Sequence, residues 1–246
     1  APLSHPMPRT LFISDLHLAE ERPATTGRFA SFLAEVVPGA DALYILGDLF
    51  EYWVGDDCLA DGLPGQVAAL LRPVASAVPT FFMHGNRDFM VASRFSRETG
   101  VHLIADPTVI DLNGRRVLLM HGDTLCTGDH AYLAYRARVR SPAWQAEALA
   151  RPIEERIALA RGMREKSESA KGQKGETIMD VTPEAVESAF VSADCRVLIH
   201  GHTHRPARHE HRANGKPCVR WVLPDWYEAG GYLESTDAGI RAVVLA

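Results

Sequence analysis

Short, almost uninterrupted apolar runs recur along the chain, and each one ends in a small group of polar residues. Such runs are typical of β-strands that are buried on both faces of a layered fold. Residues 29–36 and 67–74 carry apolar side chains at the spacing of one helix face, and Thr182 and Pro183 form a favourable start for a helix over 183–193. Five strands are therefore predicted at 10–14, 42–46, 80–84, 116–120 and 196–200, with further strands around 219–223 and 240–245.

These elements predict a layered α/β fold with the polar groups at the carboxyl ends of strands, where open α/β sheets bind their ligands. The polar groups read FISDLH (12–17), YILGD (44–48), HGNRD (84–88), LMHGD (119–123) and IHGHTH (199–204). They contain seven candidate metal ligands, namely Asp15, His17, Asp48, Asn86, His121, His202 and His204.

The residue types and spacing of these ligands indicate a catalytic metal site. Asp15 and His17 are separated by one residue, as are His202 and His204, so in extended stretches both members of a pair would reach the same ion. Seven ligands are too many for one tetrahedral ion and suit two ions that share a bridging carboxylate, for which Asp48 is the candidate. Ligation without cysteine favours catalytic Mn²⁺, Fe²⁺ or Zn²⁺ over a structural zinc site. The pattern predicts metal-assisted hydrolysis of a phosphate ester or anhydride.

An insertion is predicted between the last two motifs. The interval from His121 to His202 is 81 residues, whereas the earlier intervals between motif ligands are 33 to 38. Most of the extra length coincides with residues 129–174, a stretch rich in helix formers that holds ten Lys/Arg and six Asp/Glu, although the whole chain has a net charge of −5. We expect a basic helical cap over the site, with an ordinary pair of packing helices as the alternative.

The expected organisation is a single domain over residues 1–246, in which a core of about 8–125 and 176–246 carries an inserted cap of about 126–175. The net charge gives no electrostatic case for nucleic acid. No apolar stretch approaches the roughly 18–20 residues that span a bilayer, and the first residues lack the apolar region of a signal peptide. Four scattered cysteines are expected to be free thiols in a reducing cytoplasm.

The motif order DxH, GD, GNxD, H and GHxH, from about residue 10 to 206, resembles the calcineurin-like metallophosphoesterase superfamily. The resemblance implies a two-layered β-sandwich flanked by helices, with two divalent metal ions, for which Mn²⁺ is expected. By the same resemblance, one ion would be held by Asp15, His17, Asp48 and His204, and the other by Asp48, Asn86, His121 and His202.

The third motif departs from the superfamily pattern in an informative way. Most members have His in GNHD or GNHE, whereas this chain has Arg87. Arginine stays protonated, so it cannot deliver a proton to a leaving group, but it can stabilise charge on phosphoryl oxygens. A phosphate released from a pyrophosphate needs no such proton, so Arg87 favours an anhydride substrate. The alternative role for Arg87 is a salt bridge to Asp88.

The SDLHL opening, GNRDF, FEYWVGDD at 50–57, IMDV at 178–181 and GHTHRP at 201–206 narrow the resemblance to the UDP-2,3-diacylglucosamine diphosphatases of lipid A biosynthesis. This resemblance implies hydrolysis of the pyrophosphate bond of UDP-2,3-diacylglucosamine, by metal-activated water attacking the α-phosphorus, to UMP and 2,3-diacylglucosamine 1-phosphate. It implies catalytic roles for Asn86, Arg87 and His121. The substrate-binding residues would be Asn86, Arg87, Asp129, Ser167, Lys171, Lys174 and His202.

The cap residues leave two interpretations open. An acyl-chain groove or an ordinary cap core could be formed by Tyr132, Tyr135, Val139, Trp144, Leu149, Ile153 and Ile157. Lys171 and Lys174 could bind substrate or belong to a solvated basic face. Because the substrate that the resemblance implies is a lipid, we expect the basic and apolar cap to attach peripherally to the cytoplasmic face of the inner membrane. No obligate protein partner and no nucleic acid are expected. Competing functions are a phosphodiesterase for nucleotides or other soluble phosphoesters, and a metal-free binding scaffold, which the seven filled ligand positions argue against.

Overall fold

The computed structural model describes residues 8–171 and 180–245, and for residues 166–171 it describes the backbone alone. Two β-sheets pack face to face. The strands of the first are β1 (Thr10–Ile13), β2 (Ala42–Ile45), β3 (Thr80–Met83), β4 (His102–Ile104), β10 (Gly230–Thr236) and β11 (Gly239–Leu245). Their spatial order is β11-β10-β1-β2-β3-β4, and β1 to β4 are parallel.

The second sheet is assembled from strands later in the chain. They are β5 (Thr108–Leu112), β6 (Arg115–Leu119), β7 (Val197–His200), β8 (Ala207–Ala213) and β9 (Lys216–Val222). In the order β5-β6-β7-β9-β8, the three central strands are parallel and the two edge strands run antiparallel to their neighbours. The carboxyl ends of β1, β2 and β3 in one sheet and of β6 and β7 in the other carry the five polar motifs.

Helices cover the outer faces of the two sheets and form the segment between β6 and β7. The α-helices are α1 (Pro23–Ser31), α2 (Gly62–Ala77), α3 (Ser93–Thr99), α4 (His130–Val139), α5 (Pro142–Leu149), α6 (Ile153–Lys171) and α7 (Pro183–Ala193). A π-helical turn at Phe32–Val36 continues α1. Within the described ranges, no helix is both long enough and apolar enough to cross a membrane.

Alternating side chains explain why the central strands are apolar at nearly every position. In β1, Leu11 and Ile13 pack in the cluster that includes the helical residues Phe29 and Leu71, whereas Phe12 packs between the sheets. Neighbouring residues of β6 and β7 likewise divide between the space between the sheets and the face covered by α7. Most of these positions are buried and the others, such as Val197, are partly buried, so the predicted strands with two covered faces and the layered α/β fold are confirmed.

The five predicted central strands, the two late strands and the helix over 183–193 are confirmed, with small shifts at their ends. The side chain of Thr182 caps that helix by accepting the Ala185 N–H. The strands β4, β5, β8 and β10 were not predicted. The sequence of β8, ARHEHRA, is polar, and its strand state follows from pairing with β9 at a sheet edge. The segment expected to be a cap contains α4, α5 and α6; its description as an insertion into one domain stays an interpretation.

Candidate metal centre

The loops after β1 and β2 run side by side and bring the first two motifs together. The Asp15 N–H donates to the Gly47 carbonyl at 3.1 Å, and the His17 N–H donates to the Asp48 carbonyl at 2.9 Å. These backbone bonds extend the contact between the two strands past their carboxyl ends. The sheet register therefore sets the relative positions of three candidate ligands.

The backbone is left-handed at five of the seven ligand positions. The φ angles are 56° at Asp15, 49° at His17, 53° at Asp48, 68° at His202 and 53° at His204. The expectation that each Asp-x-His or His-x-His pair lies in an extended stretch is therefore wrong, because every member of these pairs turns the chain instead. Left-handed residues other than glycine cost of order 1–3 kcal/mol each and persist where the surrounding structure holds them, often at functional sites.

Glycines stand beside the ligands because neighbouring loops approach closely there and because the backbone turns. Gly47 has a φ of 89°, and a Cβ there would lie 2.6 Å from the Gly85 backbone and 2.7 Å from the His121 ring. A Cβ on Gly85 would collide with the Asp48 carboxylate and backbone nitrogen. Gly47 therefore permits a turn with positive φ, whereas Gly85 is needed because the two motif loops touch.

The first ligand group consists of Asp15, His17 and His204. The Nε2 atom of His204 lies 3.3 Å from Asp15 Oδ1 and 3.3 Å from His17 Nε2. Asp15 Oδ1 is buried and has no hydrogen-bond partner among the described residues. An unsatisfied buried carboxylate oxygen beside two imidazole nitrogens suits a divalent cation, which would satisfy all three atoms.

The second group consists of Asp48, His121 and His202, with Asn86 beside it. Asn86 Oδ1 lies 3.0 Å from His121 Nε2 and 2.9 Å from His202 Nδ1. Asp48 Oδ2 lies 3.8 Å from His121 Nε2 and 3.7 Å from His17 Nε2, between the two groups. Within each three-residue group the ligand atoms all lie within 4.8 Å of one another. The fold thus brings all seven predicted ligands together, in two groups that suit divalent metal ions.

The ligand side chains are buried close together, so the charge on each one strongly affects the pKa of the others. Burial raises the pKa of Asp48 to about 7, an effect that the facing His121 opposes. Burial opposes protonation of His121, but the carboxylates of Asp48 and Asp123 nevertheless raise the pKa of His121 to about 9. Burial, helped by His121, lowers the pKa of His202 to about 3. In the protein alone, protons provide the positive charge that the buried carboxylates require, and a bound cation would replace them.

Asp88 organises the site without belonging to either ligand group. Its two oxygens accept the backbone N–H groups of Gly85, Asp48, Leu49 and Phe50 at 2.7–3.3 Å. The carboxylate therefore ties the loop after β3 to the loop after β2 around Asp48. Asp88 is the last residue of HGNRD, so its place in the motif was visible in the sequence, but its part in positioning the loops was not.

Arg87 lies at the mouth of the site. Its backbone N–H donates to Asp48 Oδ1 at 2.8 Å, and its guanidinium Nη1 lies 3.9 Å from Glu51 Oε1. The carboxylate of Asp88 is occupied by backbone donors, which weakens the alternative of a salt bridge between these two neighbours. Arg87 also lines the cavity beside the ligands.

A cavity of about 620 Å³ opens from both ligand groups towards the cap helices. Three of the seven apolar cap residues singled out in the sequence line it, namely Tyr132, Tyr135 and Trp144. Val139 is buried, and it lies outside the cavity lining like the other three, Leu149, Ile153 and Ile157. The apolar lining is completed by side chains that the sequence pattern did not single out, among them Trp53, Phe89, Met90, Leu159 and Met163.

A model of the calcineurin-like phosphoesterase family matches residues 8–206, a range that contains all seven ligand residues. The chain belongs to that family. A UDP-2,3-diacylglucosamine hydrolase of Xanthomonas axonopodis pv. citri is 50% identical over 244 residues, covering 96% of this chain and 99% of the relative. One of Cellvibrio japonicus is 49% identical over 232 residues, covering 94% and 96%. An archaeal phosphodiesterase of known structure superposes with a TM-score of 0.49 at 12% identity, covering 96% and 99%.

Membership of this family makes the chain a hydrolase and accounts for the two ligand groups at the strand ends. Among the predicted substrate residues, Asn86, Arg87, Asp129 and His202 line the cavity. Asp129 also caps α4 by accepting the Tyr132 N–H. Lys174 lies outside the described residues, as do the side chains of Ser167 and Lys171.

Sequence reasoning missed several side chains that enclose the ligands of this phosphoesterase. The Tyr227 ring stacks on His17 at a centroid distance of 5.1 Å, and the Arg22 guanidinium lies 4.6 Å from the centre of the Tyr227 ring. Asp225 Oδ2 is 3.9 Å from His204 Nδ1. The PDWYEAG segment follows β9 without an apolar run or motif of its own, so no signal in one sequence marks it as part of the site.

Proposed function

We propose that this protein hydrolyses the pyrophosphate bond of UDP-2,3-diacylglucosamine to UMP and 2,3-diacylglucosamine 1-phosphate in lipid A biosynthesis. The observation that carries the proposal is the continuity of the two ligand groups with a large, mostly apolar cavity under the cap helices. A phosphoanhydride at the ligands and acyl chains in the cavity would use both parts of this space. The name of the relatives in Xanthomonas and Cellvibrio supports the same substrate.

We assign two divalent ions to the site, since mixed carboxylate, amide and imidazole donors suit Mn²⁺, Fe²⁺ or Zn²⁺, and we choose Mn²⁺ because the family resemblance implies it. One ion would be held by Asp15, His17, Asp48 and His204, and the other by Asp48, Asn86, His121 and His202. Bound ions of this kind lower the pKa of water and neutralise charge on phosphoryl oxygens. The buried oxygen of Asp15 and the position of Asp48 between the two groups support this division.

The remaining chemistry is assigned to side chains of this chain. Arg87 and Asn86 bind the oxygens of the α-phosphate and stabilise the charge that develops there. Water attacks the α-phosphorus and loses a proton to solvent, the bond to the bridging oxygen breaks, and that oxygen leaves with the lipid phosphate. The leaving phosphate needs no proton, which is consistent with an arginine at the position where most of the superfamily has a histidine.

The lipid half of the substrate is assigned to the cap. Asp129, Ser167, Lys171 and Lys174 bind the glucosamine and its phosphate, and the acyl chains lie against the apolar lining around Trp144. We further propose that the basic, apolar cap rests reversibly on the cytoplasmic face of the inner membrane, where such a substrate is held.

The test is UMP release from UDP-2,3-diacylglucosamine with Mn²⁺, compared with UDP-glucosamine that lacks the acyl chains. We expect efficient turnover of the lipid and at least a hundredfold lower kcat/KM for the soluble analogue. Equal rates on both would favour a phosphodiesterase for soluble nucleotides, and activity on an aryl phosphodiester without activity on the lipid would refute the substrate assignment.

A further inference from the structure

Glu51 is a buried carboxylate at the junction of the ligand loops and the cap. Its side chain is 2% exposed, and its backbone N–H donates to the Leu18 carbonyl at 3.0 Å. The loop after β1 therefore holds this residue in place. Burial of a charged side chain is costly unless charged partners surround it, so the groups around Glu51 indicate what it does.

One oxygen of Glu51 faces a candidate metal ligand. Oε2 accepts a hydrogen bond from Arg22 at 2.8 Å and lies 3.5 Å from His17 Nδ1, which has no hydrogen-bond partner among the described residues. The opposite nitrogen of the ring, Nε2, faces Asp15, Asp48 and the other imidazole of its group. Glu51 is thus the acceptor within reach for a proton on Nδ1. A carboxylate in this place keeps the proton there and leaves the Nε2 lone pair for a metal.

The other oxygen of Glu51 faces two arginines from different parts of the chain. Oε1 lies 3.0 Å from Arg164 Nε on α6 and 3.9 Å from Arg87 Nη1 in the loop after β3. One carboxylate therefore contacts a ligand histidine, the arginine assigned to the phosphoryl group and a helix of the cap. If Glu51 lost its negative charge, the repulsion between the guanidinium groups of Arg22, Arg87 and Arg164 would be less compensated.

We propose that Glu51 is a positioning residue that couples the cap to the metal site. Through Oε2 it orients His17 for metal binding, and through Oε1 it holds Arg164 and Arg87 over the site. The proposal rests on the function assigned above for the roles of His17 and Arg87.

The decisive measurement is Mn²⁺ binding to the full chain without substrate, by calorimetric titration. Glu51→Gln keeps the shape of the side chain and removes its charge, so we expect about 10- to 100-fold weaker binding, the usual effect of removing a carboxylate behind a metal-bound histidine. Asp57→Asn is the matched control. Asp57 lies in the same connection between β2 and α2 and pairs with Arg156 of the same cap helix, but its contacts with described residues do not include His17.

The control variant should leave Mn²⁺ affinity unchanged, and Glu51→Asp, which keeps the charge, should restore part of it. In ¹⁵N-histidine NMR of the metal-free protein, the His17 ring of the unchanged chain should carry its proton on Nδ1. In Glu51→Gln the proton should be shared between Nδ1 and Nε2. Unaltered Mn²⁺ affinity in Glu51→Gln, or an equal loss in Asp57→Asn, would overturn the proposal. If Glu51→Gln does not fold, full Mn²⁺ affinity in Glu51→Asp would overturn it instead.

Kinetics separate this inference from the function on which it rests. With UDP-2,3-diacylglucosamine, Glu51→Gln should lower kcat and raise KM, whereas Asp57→Asn should change KM alone. An unchanged chain that does not hydrolyse this lipid contradicts the proposed function, but the titration uses no substrate and still decides the role of Glu51.

Discussion

The ligand loops and the cap helices face each other across one cavity, yet they are held in place by different interactions. Backbone hydrogen bonds tie the ligand loops together, as in the bond from His17 N–H to the Asp48 carbonyl and in the donors around Asp88. Arginine side chains of the cap reach the core. The described contacts include Arg136 with Asp123, Arg140 with the Gly85 carbonyl, Arg156 with Asp57, and Arg164 with Glu51.

This difference suggests that the ligand loops hold their atoms in fixed positions, whereas the cap can adjust its position over the cavity. The ligand loops are buried and strained, so a small change there displaces atoms that must meet within a few tenths of an ångström. In two of the cap pairs one partner is buried and the other reaches solvent: Arg164 is 41% exposed and Glu51 2%, whereas Arg156 is 5% exposed and Asp57 49%. Salt screens such half-exposed pairs in part, so the cap should respond to its surroundings more than the buried metal site does.

The largest expected effect is removal of the carboxylate that lies between the two ligand groups. Asp48→Ala should abolish binding of at least one ion and lower the rate of UMP release by about a thousandfold or more, because the reacting phosphate loses its charge compensation. Metal content by elemental analysis, together with the rate, checks this result.

Glu234→Gln is the matched control for that change. Glu234 is a buried carboxylate on β10 that pairs with Arg9 and Arg241. The substitution should lower the free energy of unfolding and leave metal content unchanged. Full metal content in Asp48→Ala would contradict the assignment of Asp48 as a shared ligand.

An intermediate effect is expected at the boundary between the two regions. Arg87→Ala should keep both ions and lower kcat by about 10²- to 10³-fold, since it removes a donor to the charged phosphoryl group. Arg87→Lys should recover only part of this loss, because an ammonium group cannot reproduce the planar fork of a guanidinium. Turnover equal to that of the unchanged chain in Arg87→Ala would remove this residue from the mechanism.

The smallest expected effect concerns the cap alone. Raising KCl from 0.1 M to 1 M shortens the Debye length from about 10 Å to about 3 Å. The KM for the lipid should then rise about two- to fivefold as the half-exposed cap pairs weaken, while the number of bound ions stays constant. An Arg156→Gln/Arg164→Gln double variant should show a raised KM that no longer depends on salt. If the KM of the double variant depends on salt as strongly as that of the unchanged chain, the salt dependence does not come from these two cap pairs.

The fold and the ligand set were largely predictable from one sequence, for a physical reason. Strands buried on both faces must be apolar at successive positions, so β1, β2, β3, β6 and β7 stand out, and the ligands follow them directly. Edge strands such as β8 escape this rule, because one face meets solvent and pairing with a neighbour decides their state.

The sequence by itself determined the layered fold, the seven residues that meet at the strand ends and the position of the helical segment between His121 and His202. The tertiary structure decided the left-handed turns at Asp15 and His17, the backbone donors gathered by Asp88, the stacking of Tyr227 and the surroundings of Glu51. These features depend on loops from distant parts of the chain that meet only after folding. In the sequence alone, Glu51 cannot be told from a solvated acidic residue of a loop, because its role is defined by the charges packed around it.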